Sequence, residues 1–324
     1  MKKSSLLSLL SSQGVLIALA LLILFGWLRY DHFLGLFNIS TVLRYNSMFA
    51  LVALGMCFVI MTGGIDLSVG STAALGSVVS ALLSPYGMLI GTLGGVAAGL
   101  CVGILNGVVI VRLRILPFIA TLATMLTANG SALLLAHDQT VSVSYDGTFV
   151  NLGQGDLFNI PIIPIPAFVA VLAYAIGSIV LNFTGTGRAV LAIGGNEDAS
   201  RLMGLPVNRV KFLVYVLSGG LSGLAGVILA SQFGAGQPIE GVGWELFAIA
   251  SVVVGGTLLT GGVGSVGATL AGVMLLGLIF NVLNFENGLG WISLSAYWQS
   301  VIRGLFLLAV VILQSRLASR ESPA

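Results

Sequence analysis

Groups able to do chemistry are scarce in this chain, because Asp, Glu, Lys and Arg make up only 7% of its 324 residues. Asp66 is the most informative of them, set in Thr62-Gly63-Gly64-Ile65-Asp66-Leu67-Ser68-Val69-Gly70-Ser71. Gly63, Gly64 and Gly70 relax the backbone on either side of one acid. A second segment, Pro238-Ile239-Glu240-Gly241-Val242-Gly243, repeats the order Ile-acid, then Val-Gly, before an apolar run. Asp66 and Glu240 are expected to hold two helix breaks through backbone N–H groups. Other chemistries find no footing. No stretch fits the phosphate-binding G-x-x-x-x-G-K-[ST] pattern, since the only lysines are Lys2, Lys3 and Lys211 and none follows such a loop. His32 and His137 fall between apolar runs, which argues against a His-x-x-x-His zinc site and a membrane Ser–His hydrolase. Cys57 and Cys101 sit within apolar runs, apart from His, as small core residues. The chain is expected to bind no metal and no cofactor.

The elements that must position these residues are membrane spans. Hydrophobic residues make up 57% of the chain, and its charged fraction is far below the roughly 25% of a soluble domain. Ten apolar runs recur: Val15–Leu28, Thr41–Met61, Leu67–Leu83, Met88–Val111, Phe118–Leu135, Ile162–Phe183, Phe212–Ser231, Leu246–Leu259, Ser265–Leu283 and Tyr297–Leu313. Most approach the ~20 residues that cross a hydrocarbon core. They lack the alternation of barrel strands, so the expectation is an all-α integral membrane protein of about ten transmembrane helices, one domain over residues 1–324. Arg29, Tyr30, Asp31 and His32 do not resemble a leader cleavage site, so the first run is read as a retained span. With the N-terminus inside, ten basic residues (Lys2, Lys3, Arg112, Arg114, Arg188, Arg201, Arg209, Lys211, Arg316 and Arg320) fall on the inner side. Only Arg29 and Arg44 fall outside, so both termini are expected to be cytoplasmic. Residues 136–161 then form a polar periplasmic loop, and residues 184–211 a charged cytoplasmic one.

Gly91, Gly95, Gly99, Gly103 and Gly107 form a stripe at four-residue spacing, which lets two helix backbones approach closely where lipid offers no hydrophobic drive. Asn106 beside the stripe needs a buried hydrogen-bond partner. Arg303, within the last run, is expected to snorkel outward or to pair with an outer acid such as Glu245 or Glu286. Five spans separate the two acid-and-glycine segments, so the copies point oppositely through the membrane, the pattern of an inverted repeat. They are expected to flank a translocation pathway at its inner and outer ends. Asn46, Thr121, Thr124, Asn129 and Asn281 are candidate linings, although each could equally bond a neighbouring helix.

Longer stretches carry a resemblance. Thr62–Ser71, Gly103–Gly107 with Leu116–Leu122, Ala192–Asn196 and Ala250–Gly267 resemble, in order, the permease subunits of ribose-type sugar ABC importers, the bacterial monosaccharide ABC transporter permease family, and Gln237–Val254 with Asn284–Trp298 resemble a permease of the galactofuranose importer. The resemblance implies the ABC importer permease fold and a monosaccharide pathway in the bacterial inner membrane. It also implies a cytoplasmic ATPase carrying ATP and Mg, a periplasmic sugar-binding protein, and a second permease subunit, identical or related. Nucleic acid is not an expected partner, and the chain itself is expected to be no enzyme. Asp198-Ala199-Ser200-Arg201-Leu202-Met203-Gly204 resembles the E-A-A-x-x-x-G coupling sequence, with Asp in place of Glu and Ser in place of the second Ala. Residues 184–211 become a coupling loop on that reading. Two alternatives stand beside it: a permease of an amino-acid ABC importer, and a passive channel acting alone. The charge distribution yields a direct expectation about orientation. A cysteine replacing Asp146 should react with an impermeant thiol reagent from outside, and one replacing Arg201 only from inside; the reverse pattern overturns the orientation.

Overall fold

The computed structural model describes residues 3–160 and 162–288, with isolated positions 298, 301, 302, 304, 305 and 308. The helices are α1 (Lys3–Arg29), α2 (Leu36–Met61), α3 (Val69–Leu83), α4 (Met88–Val111), α5 (Pro117–Ala136), α6 (Asn151–Gln154), α7 (Ile165–Phe183), α8 (Gly185–Gly195), α9 (Glu197–Leu202), α10 (Val207–Phe233), α11 (Trp244–Val254) and α12 (Val266–Gly288). Two-residue strands β1 (Val141–Ser142) and β2 (Ala235–Gly236) pair antiparallel. Among the described residues seven helices are long and apolar enough to cross a membrane: α2, α3 with its following turn, α4, α5, α7, α10 and α12. The expected ten spans are therefore not all found. The eighth run is a half-length helix: α11 has 11 residues, about 16 Å at 1.5 Å per residue, against roughly 30 Å of hydrocarbon. It stops where Gly255 and Gly256 follow, the latter with φ +85°. The tenth run, Tyr297–Leu313, and Arg303 within it lie outside the described residues save for isolated positions.

The bundle is organised around α2 and α10. Every residue of α2 from Asn46 to Met61 is buried, as expected of a helix that is apolar all round. Helix α10 packs against α2, α3 and α4. Its contact with α4 is the glycine stripe: all five stripe glycines are buried. Gly99 lies on the backbone of Gly219 and Gly223, and Gly103 on that of Tyr215, Val216 and Gly219. The outer helices are different. Only 28% of the apolar window of α5, and the same share of α7, is buried, so their exposed leucine, isoleucine and phenylalanine faces are left for lipid or another subunit.

The two basic residues that oppose the charge bias are both ion-paired. Arg44 binds Asp156 at 2.5 Å and donates to the Gly153 and Gly155 carbonyls at 2.9 and 3.1 Å, fastening the long loop to α2. Arg29 lies 3.5 Å from Glu286, which also accepts from the Tyr30 hydroxyl at 2.6 Å. Glu286, a partner expected for Arg303, is thus engaged by α1.

Helices α3 and α11 begin together and run apart. Gly70 at the start of α3 lies against the carbonyl of Gly241, just before α11. The far end of α3 reaches the long loop, where Ser84 accepts from the Ser144 N–H at 2.8 Å. Beyond the far end of α11, the Gly262 N–H donates to the Met61 carbonyl at 3.0 Å, at the opposite end of the bundle. Two opposed helices with adjoining N-termini, one of them the half-length α11, are the relation an inverted repeat requires. The close α4–α10 approach can be tested by size. Gly99→Leu should destabilise the purified protein by about 1–3 kcal/mol through overpacking. Gly130→Ala, where nothing lies within 4 Å, should leave the melting temperature unchanged or raise it.

Candidate functional site

The first break, Thr62–Ser68, lies within the bundle and not at its rim. Its acid, Asp66, contacts Ser218, seven residues beyond Lys211 along α10, about 10 Å further into the bundle by helical rise. Asp66 is 1% exposed. Its Oδ1 accepts from the Ser68 N–H at 3.0 Å and the Ser68 hydroxyl at 2.6 Å, and its Oδ2 accepts from the Ser218 hydroxyl at 2.8 Å. The relay continues outward: Asn106 Nδ2 donates to Ser68 Oγ at 2.9 Å, and Thr124 Oγ1 to Asn106 Oδ1 at 2.6 Å. Thr121 Oγ1 reaches the Ile65 carbonyl at 3.3 Å and the Pro117 carbonyl at 2.9 Å. Ser68, just before α3, and Ser218 of α10 therefore donate to one carboxylate at the positive end of α3, and α4 and α5 are tied to it through Ser68. Gly63 takes φ +77°, and Gly64 leaves room for the Tyr215 hydroxyl.

Thr121 and Thr124, candidate linings, are thus brought to Asp66 as parts of this network. Asn46 donates to the Val42 carbonyl at 2.8 Å and lies against Gly277, between α2 and α12. Asn281 exchanges hydrogen bonds with Asn38 at 2.8 and 3.2 Å. Asn129 is half-buried on α5, apart from the breaks. Ser68 and Ser218 are the network members that sequence reasoning missed. The Asp66–Ser68 spacing of two residues, which is that of an Asx turn, signals the first; nothing local signals the second, 152 residues away from Asp66.

The second break, residues 234–243, is built on Gly234, Gly241 and Gly243 at φ +69°, +95° and +84°. Ser77 of α3 ties it down, accepting from the Gln237 N–H at 3.0 Å. Glu240 does not hold this break: it is exposed. Glu245 is better placed for that part: the chain turns at Gly243, and the half-buried Glu245 carboxylate lies near the Gly243 N–H and its own. The same carboxylate borders Gly70, so it stands between the two helix N-termini.

At the end of the bundle bearing Lys211, residues 184–211 fold into α8, α9 and the start of α10. Asn196 caps α9 by accepting from the Ala199 N–H at 2.8 Å. Glu197 clamps it, bound to Arg201 at 2.9 Å and Lys211 at 2.5 Å. Burial pushes the Glu197 carboxyl up, but Lys211 and then Arg201 outweigh it and hold it below its ordinary value. The clamp is intact at neutral pH and is lost only as pH falls through that lowered value. Gly204, at φ +81°, closes α9 with the Leu205 N–H donating to the Ser200 carbonyl at 3.0 Å. Asp198 is exposed and Ser200 buried. Leu202 and Met203 beside them are 90% and 70% exposed, an apolar tip on a charged element.

Helix α8 joins this tip to the breaks through close backbone contacts, beside the buried side chains of Val190 and Ile193. Gly194 lies on the Met61 carbonyl and the Gly262 N–H, Gly195 on Gly262, and Gly261 on Gly63. No side chain separates these surfaces.

The chain matches the family described as "Branched-chain amino acid transport system / permease component" over residues 38–311. It is 35% identical to the ribose import permease protein RbsC of Haemophilus influenzae, covering 96% of this chain and 95% of that protein. It is 38% identical to the L-arabinose transport system permease protein AraH of Escherichia coli, over 92% and 89%. It is 35% identical to the L-arabinose ABC transporter permease protein AraH of Azospirillum brasilense, over 97% and 91%. No solved structure matches. The chain belongs to this family of transport-system permeases and is a multi-pass membrane protein. The geometry separates the acids by role. Asp66→Ala should strand three donors at about 1–3 kcal/mol each, and Glu245→Ala should also lower the melting temperature. Glu240→Ala should leave it unchanged, and an equal loss in all three would overturn the assignment.

Proposed function

We propose that this chain is the translocation subunit of an ATP-driven monosaccharide importer in a bacterial inner membrane. The observation that carries the reading is the likeness to ribose and arabinose permeases along more than nine-tenths of the chain. The α8–α9 element supports an energy-coupled mechanism over a passive channel. A channel acting alone has no use for a capped, clamped helix with an exposed apolar tip.

In this mechanism a cytoplasmic ATPase, which carries ATP and Mg, grips α9 through Asp198, Ala199, Arg201 and the Leu202–Met203 tip. Both termini lie on that side. Movement of α9 passes through α8 and the glycine contacts to Gly63 and Gly261–Gly262. These adjoin the first break and the end of α11, so one displacement acts on both. A second permease copy, identical or related, completes the pathway, and a periplasmic binding protein delivers sugar to the face bearing residues 136–161. Gly63, Gly64, Asp66 and Gly70 gate the inner half, and the Gly234–Gly243 segment gates the outer half.

The reading is tested by purifying the complex with its co-purifying ATPase and binding protein, and measuring uptake of D-ribose, L-arabinose and leucine in proteoliposomes. ATP-dependent uptake of a sugar is expected; leucine uptake instead would favour the amino-acid reading, and uptake without ATP the channel. Gly204→Val forces a β-branched residue into a left-handed turn and should cut sugar-stimulated ATP hydrolysis at least about tenfold, roughly 1.4 kcal/mol, with membrane insertion intact. Unchanged stimulation would reduce residues 184–211 to a connector.

A further inference from the structure

Glu240, released from holding its break, lines a cavity of about 240 Å³ between α2, α11 and α12. Tyr45, Phe49, Trp244, Phe247 and Phe280 line it as well. Their rings form one continuous surface, with centroid separations of 5.4 Å for Tyr45–Phe49, 4.7 Å for Phe49–Trp244, 4.4 Å for Phe49–Phe247 and 5.8 Å for Phe247–Phe280. Phe49, Trp244 and Phe247 are buried, which fixes the wall, whereas Tyr45 and Glu240 are exposed. The backbone of Gly243 completes the lining where α11 begins.

We propose that this cavity is where the permease itself contacts the sugar, a deduction that rests on the sugar-importer reading above. A monosaccharide ring presents an apolar C–H face and a rim of hydroxyl groups. An aromatic wall accepts the face, and a carboxylate accepts hydrogens from the rim. The cavity lies below the roughly 300–1,000 Å³ that encloses drug-sized ligands, so it suits a single small ring. An acyl chain is a poor occupant, because it would strip water from Glu240 and offer no hydrogen bond in return. The cavity lies beside the half-length α11, towards the end of the bundle where Arg44 meets the long loop. One carboxylate and a wall of rings also give few strong contacts, which suits a site that must release what it binds.

The test uses the complete complex in proteoliposomes with D-ribose and L-arabinose as probes, reading sugar taken up per ATP hydrolysed. Glu240→Gln should lower that ratio about tenfold for whichever sugar the wild type carries, the effect of one lost charge-assisted hydrogen bond. Tyr45→Leu should lower it by a smaller factor. A ratio unchanged in both variants overturns the assignment, as does a loss of uptake matched by an equal loss of ATP hydrolysis, which marks damage to the assembly. An aromatic wall with a carboxylate can also hold an organic ammonium ion. Choline is therefore included: inhibition of sugar uptake that Glu240→Gln relieves would assign the cavity to a cation and overturn the sugar. Failure of the wild-type complex to import either sugar sinks the sugar-importer reading itself, an outcome distinct from these.

Discussion

A backbone N–H or C=O left without a partner in hydrocarbon costs several kcal/mol, yet this chain interrupts its helices twice inside the bundle. Everything around the first interruption answers that cost. Asp66 draws one N–H and two hydroxyls onto a single carboxylate, and Asn106 and Thr124 complete the relay behind it. Four helices contribute to this one knot. The position of α3 therefore depends on α4, α5 and α10 together, and the break cannot be rearranged by moving any one of them alone. At the second interruption Glu245 and Ser77 do the same with fewer groups, and glycines at positive φ supply the rest of the turn.

Glycine has two separate tasks here, and the distinction explains which contacts are rigid. Along α4 and α10 glycines sit in regular helix and remove side-chain thickness, so the backbones close on one another. That packing fixes the frame. At Gly63, Gly261 and Gly262 the φ values are +77°, +86° and +80°, a region most residues avoid. Those glycines form the joint between α8, the end of α2 and the turn after α11.

The frame was largely legible from residue order: apolar runs of spanning length, a glycine stripe of period four, and two acid-and-glycine segments placed to point oppositely. Helix α11 was not, because an apolar run of 14 residues looks alike whether it spans the membrane or stops half-way at Gly255. Only the positive φ at Gly256 and the contact of Gly241 with Gly70 decide it. The site was legible in part. Asp66 stood out as an acid among glycines, and Asn106 as an amide in need of a partner. Their connection through Ser68 to Ser218 was hidden, since small hydroxyl residues occur throughout such helices and the partners are distant in the chain. Glu240 and Glu245 were the hard pair. They are five residues apart, and which one turns back over the break depends on the left-handed turn at Gly243, a conformation that identity alone does not reveal.

Among the described residues no Lys, Arg or His pairs with Asp66; hydroxyls, an N–H and the start of α3 compensate its charge. A buried ion pair would gain its attraction from one fixed geometry and lose it steeply on separation. A carboxylate held by several neutral donors can exchange one for another at modest cost, since each neutral bond contributes only about 0.5–1.5 kcal/mol net. Tyr215, buried with its hydroxyl against Gly64 and without a hydrogen-bond partner, is a donor in reserve beside this network. On the proposed mechanism, a break that must stay covered while helices shift beside it is better served by such an arrangement than by a salt bridge. Among the described residues the ion pairs lie away from the breaks: Arg44 with Asp156 on the long loop, Arg29 with Glu286 at the α1–α12 contact, and Glu197 with Arg201 and Lys211 between α9 and α10. Charge fastens the periphery, and neutral donors hold the buried Asp66 break.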